Sequence, residues 1–289
     1  MELFNEERSA QVVGASFANT PDPRLRSLLT TLAEHLHAFI KEVQLTEDEW
    51  ATAVDFLTRT GQKCDAVRQE FVLLSDVLGL SMLVETINHR TLGSSTESTV
   101  LGPFHMVESA PRQLGEIIAL DGKGGPCLVT GQMTGPDGVP LAGALVDVWQ
   151  ANAEGFYDVQ QPGVQPERNL RGLFTADDDG RFWFRTIVPR YYPIPVDGPV
   201  GQLLAATGRH PNRPAHIHFI ATAEGYRSVT THLFVDDSPY LDSDAVFGVK
   251  DSLVRQFPRV DDPARAAEVG LPNPFRAVHF DVALLASTK

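Results

Sequence analysis

The sequence predicts a mainly β protein with a helical N-terminal part: helices over about residues 1–105, then an antiparallel β-sandwich over 106–289. Three observations predict it. Before Asn88, apolar residues recur at three- and four-residue intervals, the period of one helix face. Beyond it, glycine and proline punctuate short runs rich in β-branched and aromatic residues, the pattern of many short strands. The length, 289 residues, allows a sizeable buried core.

Taken in order, residues 1–20 read as a weakly specified arm. Pro21 and Pro23 then open a helix whose face carries Leu25, Leu28, Leu29, Leu32, Leu36, Phe39 and Ile40. Thr46 and Glu49 have the spacing of a capping box, and Leu45 and Trp50 that of a hydrophobic staple, so a second helix starts there. It runs through Val54, Phe56 and Leu57 to Gly61. A third helical run covers about Asp65 to His89. From Leu78 to Val84 it is apolar on more than one face, which marks a buried helix or one that meets a partner. By periodicity alone Asp76 is an exposed carboxylate on the polar side of that run. His35 and His37 cannot share a helix face and read as surface residues.

Gly93 to Ser98 is loop-like. Strands follow at Cys127–Met133, Leu145–Trp149, Ala215–Ala221 and Ser228–Val235. Gly172–Thr175 and Arg181–Val188, joined by the tight turn Asp178-Asp179-Gly180, read as a hairpin.

Composition narrows the function. A formal net charge of −13 argues against nucleic acid or an anionic membrane surface as partner. No apolar stretch is long enough to span a bilayer and no signal peptide opens the chain, so the expectation is a cytoplasmic protein with no membrane insertion. Cys64 and Cys127 form no Cys-x-x-Cys pair and read as reduced, buried thiols.

The chemistry concentrates around Arg213-Pro214-Ala215-His216-Ile217-His218-Phe219. On a strand, His216 and His218 point to one face, about 6–7 Å apart along the backbone, and can hold one metal ion. A His-x-His pair alone also serves zinc, non-haem Fe(II) or plain structure, with His210 or His232 as a possible third ligand. Tyrosine offers another chemistry, because a phenolate is a hard anionic ligand that favours Fe(III). Tyr157, Tyr191 and Tyr192 lie upstream, in a chain with five tyrosines.

The segments Asp147–Tyr157, Ile187–Tyr192 and Asn212–Phe219 resemble the signatures of intradiol ring-cleavage dioxygenases. The resemblance covers most of the chain and includes Gly79–Asn88 and Leu101–Phe104. Within the family, Tyr192–Gly201 and Tyr240–Lys250 are similar to the branch acting on hydroxyquinol (1,2,4-trihydroxybenzene). Catechol-cleaving members usually carry Gly-Tyr-Gly around the second tyrosine and glutamine where His232 stands.

The resemblance implies one Fe(III) per chain held by Tyr157, Tyr192, His216 and His218, with Tyr191 as the rival for the second phenolate. It implies cleavage of hydroxyquinol with O2 to 3-hydroxy-cis,cis-muconate/maleylacetate. Tyr192 and Arg213 would be catalytic, the first by taking substrate protons, the second by stabilising charge on the ring. The substrate would be bounded by Leu73, Asp76, Val100, Leu101, Gly102, Pro103, Phe104, Ile194, Pro195, Arg213 and Val246, with Asp76 accepting from the third hydroxyl. His232 would stand behind the ligands. The helical part would form a homodimer and hold a phospholipid. The competing readings are catechol or chlorocatechol cleavage, a zinc hydrolase, and a non-catalytic β-sandwich binding module.

Overall fold

A computed structural model describes residues 3–65, 68–90, 95–105 and 109–287. Gly93 and Ser94 of the expected loop, and Ala66 and Val67 at the start of the third helical run, lie outside them. The chain divides into two compact units, Met1–Arg59 and Thr60–Lys289.

The first unit is helical. The expected arm contains a helix, α1 (Ser9–Ser16), which packs on α2 (Pro23–Val43). Its eight residues carry almost no apolar periodicity, so the sequence pattern does not announce it. Gly14 gives the close approach: a Cβ there would lie 3.2 Å from Thr30 Cγ2. The start of α2 is set by the Asp22 carboxylate, which accepts from Arg24 N at 2.8 Å, and by Pro23 in its first turn. The third helix, α3 (Glu47–Gln62), runs past the boundary between the units. Its capping box forms as expected: Thr46 N donates to Glu49 Oε2 at 2.9 Å and Glu49 N donates to Thr46 Oγ1 at 3.3 Å. Leu25, Leu28, Leu32, Leu36, Phe39 and Ile40, the predicted apolar stripe of α2, are exposed in the single chain.

In the second unit the predicted third helix is two helices, α4 (Glu70–Val77) and α5 (Leu80–Asn88). Gly79 separates them at φ +73, a left-handed conformation that ends α4 while the apolar periodicity runs on. Leu78, Leu80, Leu83 and Val84 are exposed, and Met82 is the buried residue of α5.

The strands are β1 (Pro111–Arg112), β2 (Pro126–Thr134), β3 (Leu145–Gln150), β4 (Arg171–Thr175), β5 (Arg181–Ile187), β6 (Tyr192–Pro193), β7 (Asn212–Arg213), β8 (His216–Thr222), β9 (Val229–Val235), β10 (Val254–Arg255), β11 (Arg259–Val260), β12 (Phe275–His279) and β13 (Val282–Ala283). Helix α6 (Pro199–Ala206) lies between β6 and β7, and α7 (Pro263–Val269) between β11 and β12. One sheet has the order β1-β4-β3-β8-β9-β10; the other has β11-β12-β2-β13, with β5 also on β2.

The sheets are mixed, not antiparallel throughout. β1/β4, β9/β10, β2/β12 and β2/β13 are parallel, the last strands arriving after α7 and a long excursion from β2. The expected hairpin is also absent. β4 pairs with β1 and β3, whereas β5 pairs with β2. The intervening turn carries the chain from one sheet to the other: Ala176 N donates to Ala144 O on one side, and Gly180 O accepts from Met133 N on the other.

Both sheets share one apolar core. Val146, Val148, Phe174, Ile217, Phe219 and Leu233 meet Val129, Phe182, Phe184 and Val278, with Phe174 stacked on Phe184 at 5.1 Å. The opposite face of the first sheet is different. In register across four strands stand Arg171 (β4), Trp149 (β3), His218 (β8) and His232 (β9). All four are 1 % exposed or less.

Gly79→Ala would place an L side chain at φ +73, with Cβ 3.4 Å from Phe247 Cδ2. The left-handed penalty is about 1–2 kcal/mol, so the melting temperature should fall by a few degrees. An unchanged melting curve would show that Gly79 does not hold the break between α4 and α5.

Candidate metal centre

Strand alternation puts His216 and His218 on the face away from the core, and three segments close over them. The first carries Tyr157. Asn152 Oδ1 accepts from Glu154 N and Phe156 N, folding Asn152–Tyr157 into a tight loop. Gly155 sits at φ +87, where a Cβ would lie 3.0 Å from Tyr191 O and 3.2 Å from Tyr192 Cβ, so only glycine lets the two tyrosine segments approach. The second is the short β6/β7 pair, in which Tyr192 stands opposite Arg213. The third is the segment Val100–Phe104, whose Phe104 ring stacks on Tyr157 at 4.6 Å and 25°.

Four polar atoms converge. Tyr157 Oη lies 2.9 Å from His218 Nε2 and 3.3 Å from Tyr192 Oη, and His216 Nε2 lies 3.1 Å from His218 Nε2. All four residues are buried. Tyr191 stays outside, half-buried, with its ring on Tyr240 at 5.2 Å.

The far nitrogens of both histidines are already engaged. His216 Nδ1 lies 2.7 Å from Pro214 O, a bond it can only donate, so its Nε2 carries a lone pair. His218 Nδ1 lies 2.7 Å from His232 Nε2, and His232 Nδ1 lies 2.8 Å from Thr99 Oγ1. Burial pushes all three imidazoles well below their usual range, so they are neutral. The Nε2 lone pairs of His216 and His218 therefore face the tyrosine oxygens, open to a hydrogen-bond donor such as Tyr157 Oη–H or to a cation.

The nitrogens of His216, His218 and His232 also fall within 4.8 Å of one another, a second grouping able to hold a metal ion. The two groupings compete for His218. Its Nε2 faces Tyr157 and His216, its Nδ1 faces His232, and one ion cannot use both. The Nε2 side gathers three further donor atoms and the Nδ1 side is filled by a hydrogen bond, which favours the tyrosine-containing set. Burial, and next the neighbouring Tyr192, push the Tyr157 hydroxyl well above its usual range, with Arg213 and Arg171 opposing. Ionising that phenol therefore needs a further positive charge at the site.

Arg213 is a permanent buried cation beside this cluster. Burial alone would lower its proton affinity, but the Asp244 carboxylate outweighs that and holds it up. Its Nε and Nη2 donate to Asp244 Oδ1 and Oδ2 at 3.1 and 3.3 Å, and Nη1 lies 3.4 Å from His216 Nε2. Asp244 was not singled out in the sequence. A buried arginine requires a carboxylate partner, but with 37 acidic residues in the chain no spacing picks it out. Thr99 and Arg171 were missed for the same reason: their contacts are long-range.

A cavity of about 800 Å³ adjoins the cluster. Eight of the eleven expected wall residues line it: Leu73, Asp76, Val100, Leu101, Gly102, Pro103, Phe104 and Pro195. Ile194, Arg213 and Val246 are buried and lie outside this lining. Gly102 joins cavity to cluster, since a Cβ there would lie 3.2 Å from His218 Cε1. Asp76, read from periodicity as exposed, is 7 % exposed and faces the cavity. Burial raises its carboxyl above the usual range, with a Ser81 hydrogen bond opposing.

Two family models match the chain: "Dioxygenase" over residues 100–286 and "Catechol dioxygenase N terminus" over residues 22–96. The chain is 56% identical over 270 residues to a hydroxyquinol 1,2-dioxygenase of Rhizobium sp. strain MTP-10005, covering 93% of this chain and 92% of that protein. It is 52% identical to a 6-chlorohydroxyquinol 1,2-dioxygenase of Cupriavidus pinatubonensis, covering 91% and 95%. Among solved structures, a hydroxyquinol 1,2-dioxygenase from Pseudomonas putida DLL-E4 superimposes with a TM-score of 0.91 at 47% identity, covering 98% of this chain and 99% of that one.

Gly102→Ala should crowd the His218 ring and lower the affinity of the site for a transition-metal ion by roughly 10-fold, the scale of lost ligand support. Metal titration of the purified protein reads this directly, and an unchanged affinity would mean that His218 does not define the site.

Proposed function

Because the chain belongs to the intradiol ring-cleavage dioxygenase family, we propose that it opens the ring of hydroxyquinol between its two adjacent hydroxylated carbons, using O2 and giving 3-hydroxy-cis,cis-muconate/maleylacetate. The observation that carries this reading is the convergence of two phenols and two neutral imidazoles beside a cavity with one buried carboxylate, Asp76. That donor set fits one ferric ion per chain, held by Tyr157, Tyr192, His216 and His218, because two hard phenolates favour Fe(III) over Fe(II) or zinc. When bound, a ferric ion supplies Lewis acidity and an electron acceptor to a catecholic ring chelated through adjacent oxygens.

The protein's own groups do the rest. Tyr192 Oη takes a substrate proton as the ring binds, a general-base role open to a phenolate beside the reacting oxygens. Arg213, fixed by Asp244, stays charged and steadies negative charge developing on the ring in a water-poor pocket. His232 accepts from His218 Nδ1 and donates onward to Thr99, which fixes the ring and leaves Nε2 free. Phe104 and Gly102 bound the ring plane. Asp76 accepts a hydrogen bond from the third hydroxyl, and a site built to bond a hydroxyl rejects analogues lacking it.

Homodimer formation and phospholipid binding belong to the same reading. The exposed apolar stripe of α2 supports both, since so much apolar surface seeks a partner.

Purified iron-loaded protein should be red-brown from phenolate-to-ferric charge transfer, and anaerobic hydroxyquinol should shift that band. A colourless protein after iron loading, or one that retains zinc, would sink the ferric reading.

Asp76→Ala should lower kcat/KM for hydroxyquinol roughly 10- to 100-fold, the worth of a hydrogen bond to a charged group, and leave catechol turnover nearly unchanged. An equal loss on both would remove Asp76 from substrate selection. The preference should also depend on pH. Asp76 accepts as a carboxylate, and its proton affinity is raised, so preference for hydroxyquinol is present at high pH. It should fall on acidification at a higher pH than an ordinary aspartate would set. Asp76→Asn should abolish that pH dependence.

A further inference from the structure

We propose that Arg171 is a positioning residue for Tyr157: its guanidinium ties the Tyr157 turn to the cavity wall and so fixes where the phenol oxygen stands. The proposal rests on the reading of Tyr157 as a metal-bound phenolate. Arg171 lies on β4, directly opposite Trp149, whose indole stacks on His218 at 4.5 Å and 9°. It is 1 % exposed, among the largest fully buried side chains.

The contacts of Arg171 run in two directions. Nε donates to Asp158 Oδ1 at 2.8 Å, and Nη2 lies 2.7 Å from the same oxygen. Asp158 is the residue after Tyr157 and begins the short turn Asp158–Gln160, within which Gln160 Oε1 accepts from Tyr157 N at 2.9 Å. Nη2 also donates to Phe104 O at 2.8 Å. Phe104 is the residue whose ring stacks on Tyr157. One planar head thus holds Tyr157 through its chain neighbour on one side and through its stacking partner on the other.

Nothing in the fold alone demands this residue. A buried ion pair seldom adds net stability over an apolar pair of the same volume. Here the third nitrogen, Nη1, is buried with no hydrogen-bond partner among the described residues. Among the described residues, the contacts that Arg171 does make are the two that converge on Tyr157. A lysine at 171 keeps the charge, but one ammonium nitrogen replaces the Nε and Nη2 pair, so the two-nitrogen grip on Asp158 Oδ1 and its planar orientation are lost.

The test compares Arg171→Lys with Arg185→Lys. Arg185 bridges two backbone carbonyls, Gly115 O at 2.7 Å and Gly270 O at 2.8 Å, away from the cluster, so it controls for the loss of a guanidinium fork as such. Each iron-loaded protein is assayed for iron per chain, the position of the charge-transfer band, melting temperature, and kcat and KM on hydroxyquinol. Arg171→Lys should shift the band and lose roughly 10- to 100-fold in iron affinity or kcat, with KM little changed. Arg185→Lys should move only the melting temperature. If Arg171→Lys does not fold, Asp158→Asn replaces it, with the same band shift expected.

An Arg171→Lys protein with the wild-type band, iron content and kcat overturns the proposal, and so does one that differs in melting temperature alone. A wild-type protein with no charge-transfer band fails earlier, at the ferric reading itself.

Discussion

The pairing of β3 with β8 places Trp149 opposite His218, and the face on which His216 and His218 stand follows from that register. Strand side chains alternate, so a slip of one residue would turn His216 and His218 into the apolar core and Ile217 and Phe219 out of it. The core forbids the slip, because Ile217 and Phe219 pack among fully buried neighbours from the second sheet. Apolar packing on one face of the sheet thereby fixes polar chemistry on the other. The same register line continues to Arg171 and His232, so four side chains from four strands are set by one constraint.

Charge is distributed with similar economy. The chain carries a formal net charge of −13, yet the cluster lies near two buried arginines. Among the described residues each has a single carboxylate partner, Asp244 for Arg213 and Asp158 for Arg171. The histidines are neutral through burial, and their outer nitrogens are committed to Pro214, His232 and, beyond it, Thr99. The guanidinium charges are thus held by carboxylates beside neutral imidazoles, at fixed places within a molecule of net charge −13.

The parts legible in the sequence were those governed by short-range rules. Strand alternation gave the common face of His216 and His218, and the Thr46/Glu49 spacing gave a capping box that forms as read. The resemblance supplied Tyr157 and Tyr192. What escaped depends on distance along the chain: Arg213 meets Asp244 31 residues on, and Thr99 meets His232 133 residues on. Other misses arise where one local signal fits two outcomes. Asp178-Asp179-Gly180 is the same tight turn whether its flanking strands pair or part to different sheets. Gly79 inside an apolar period looks like a tolerated glycine until its backbone angle is known.

Within the cluster the sequence separations differ widely. His216 and His218 are two residues apart, so any extended segment containing them can bring two imidazoles to one ion. Tyr157 lies 61 residues before His218 and joins only when the β3 loop has closed over the sheet. The imidazole pair is thus a property of one short strand, whereas the four-atom cluster is a property of the whole sheet-and-loop assembly and exists only in the folded chain.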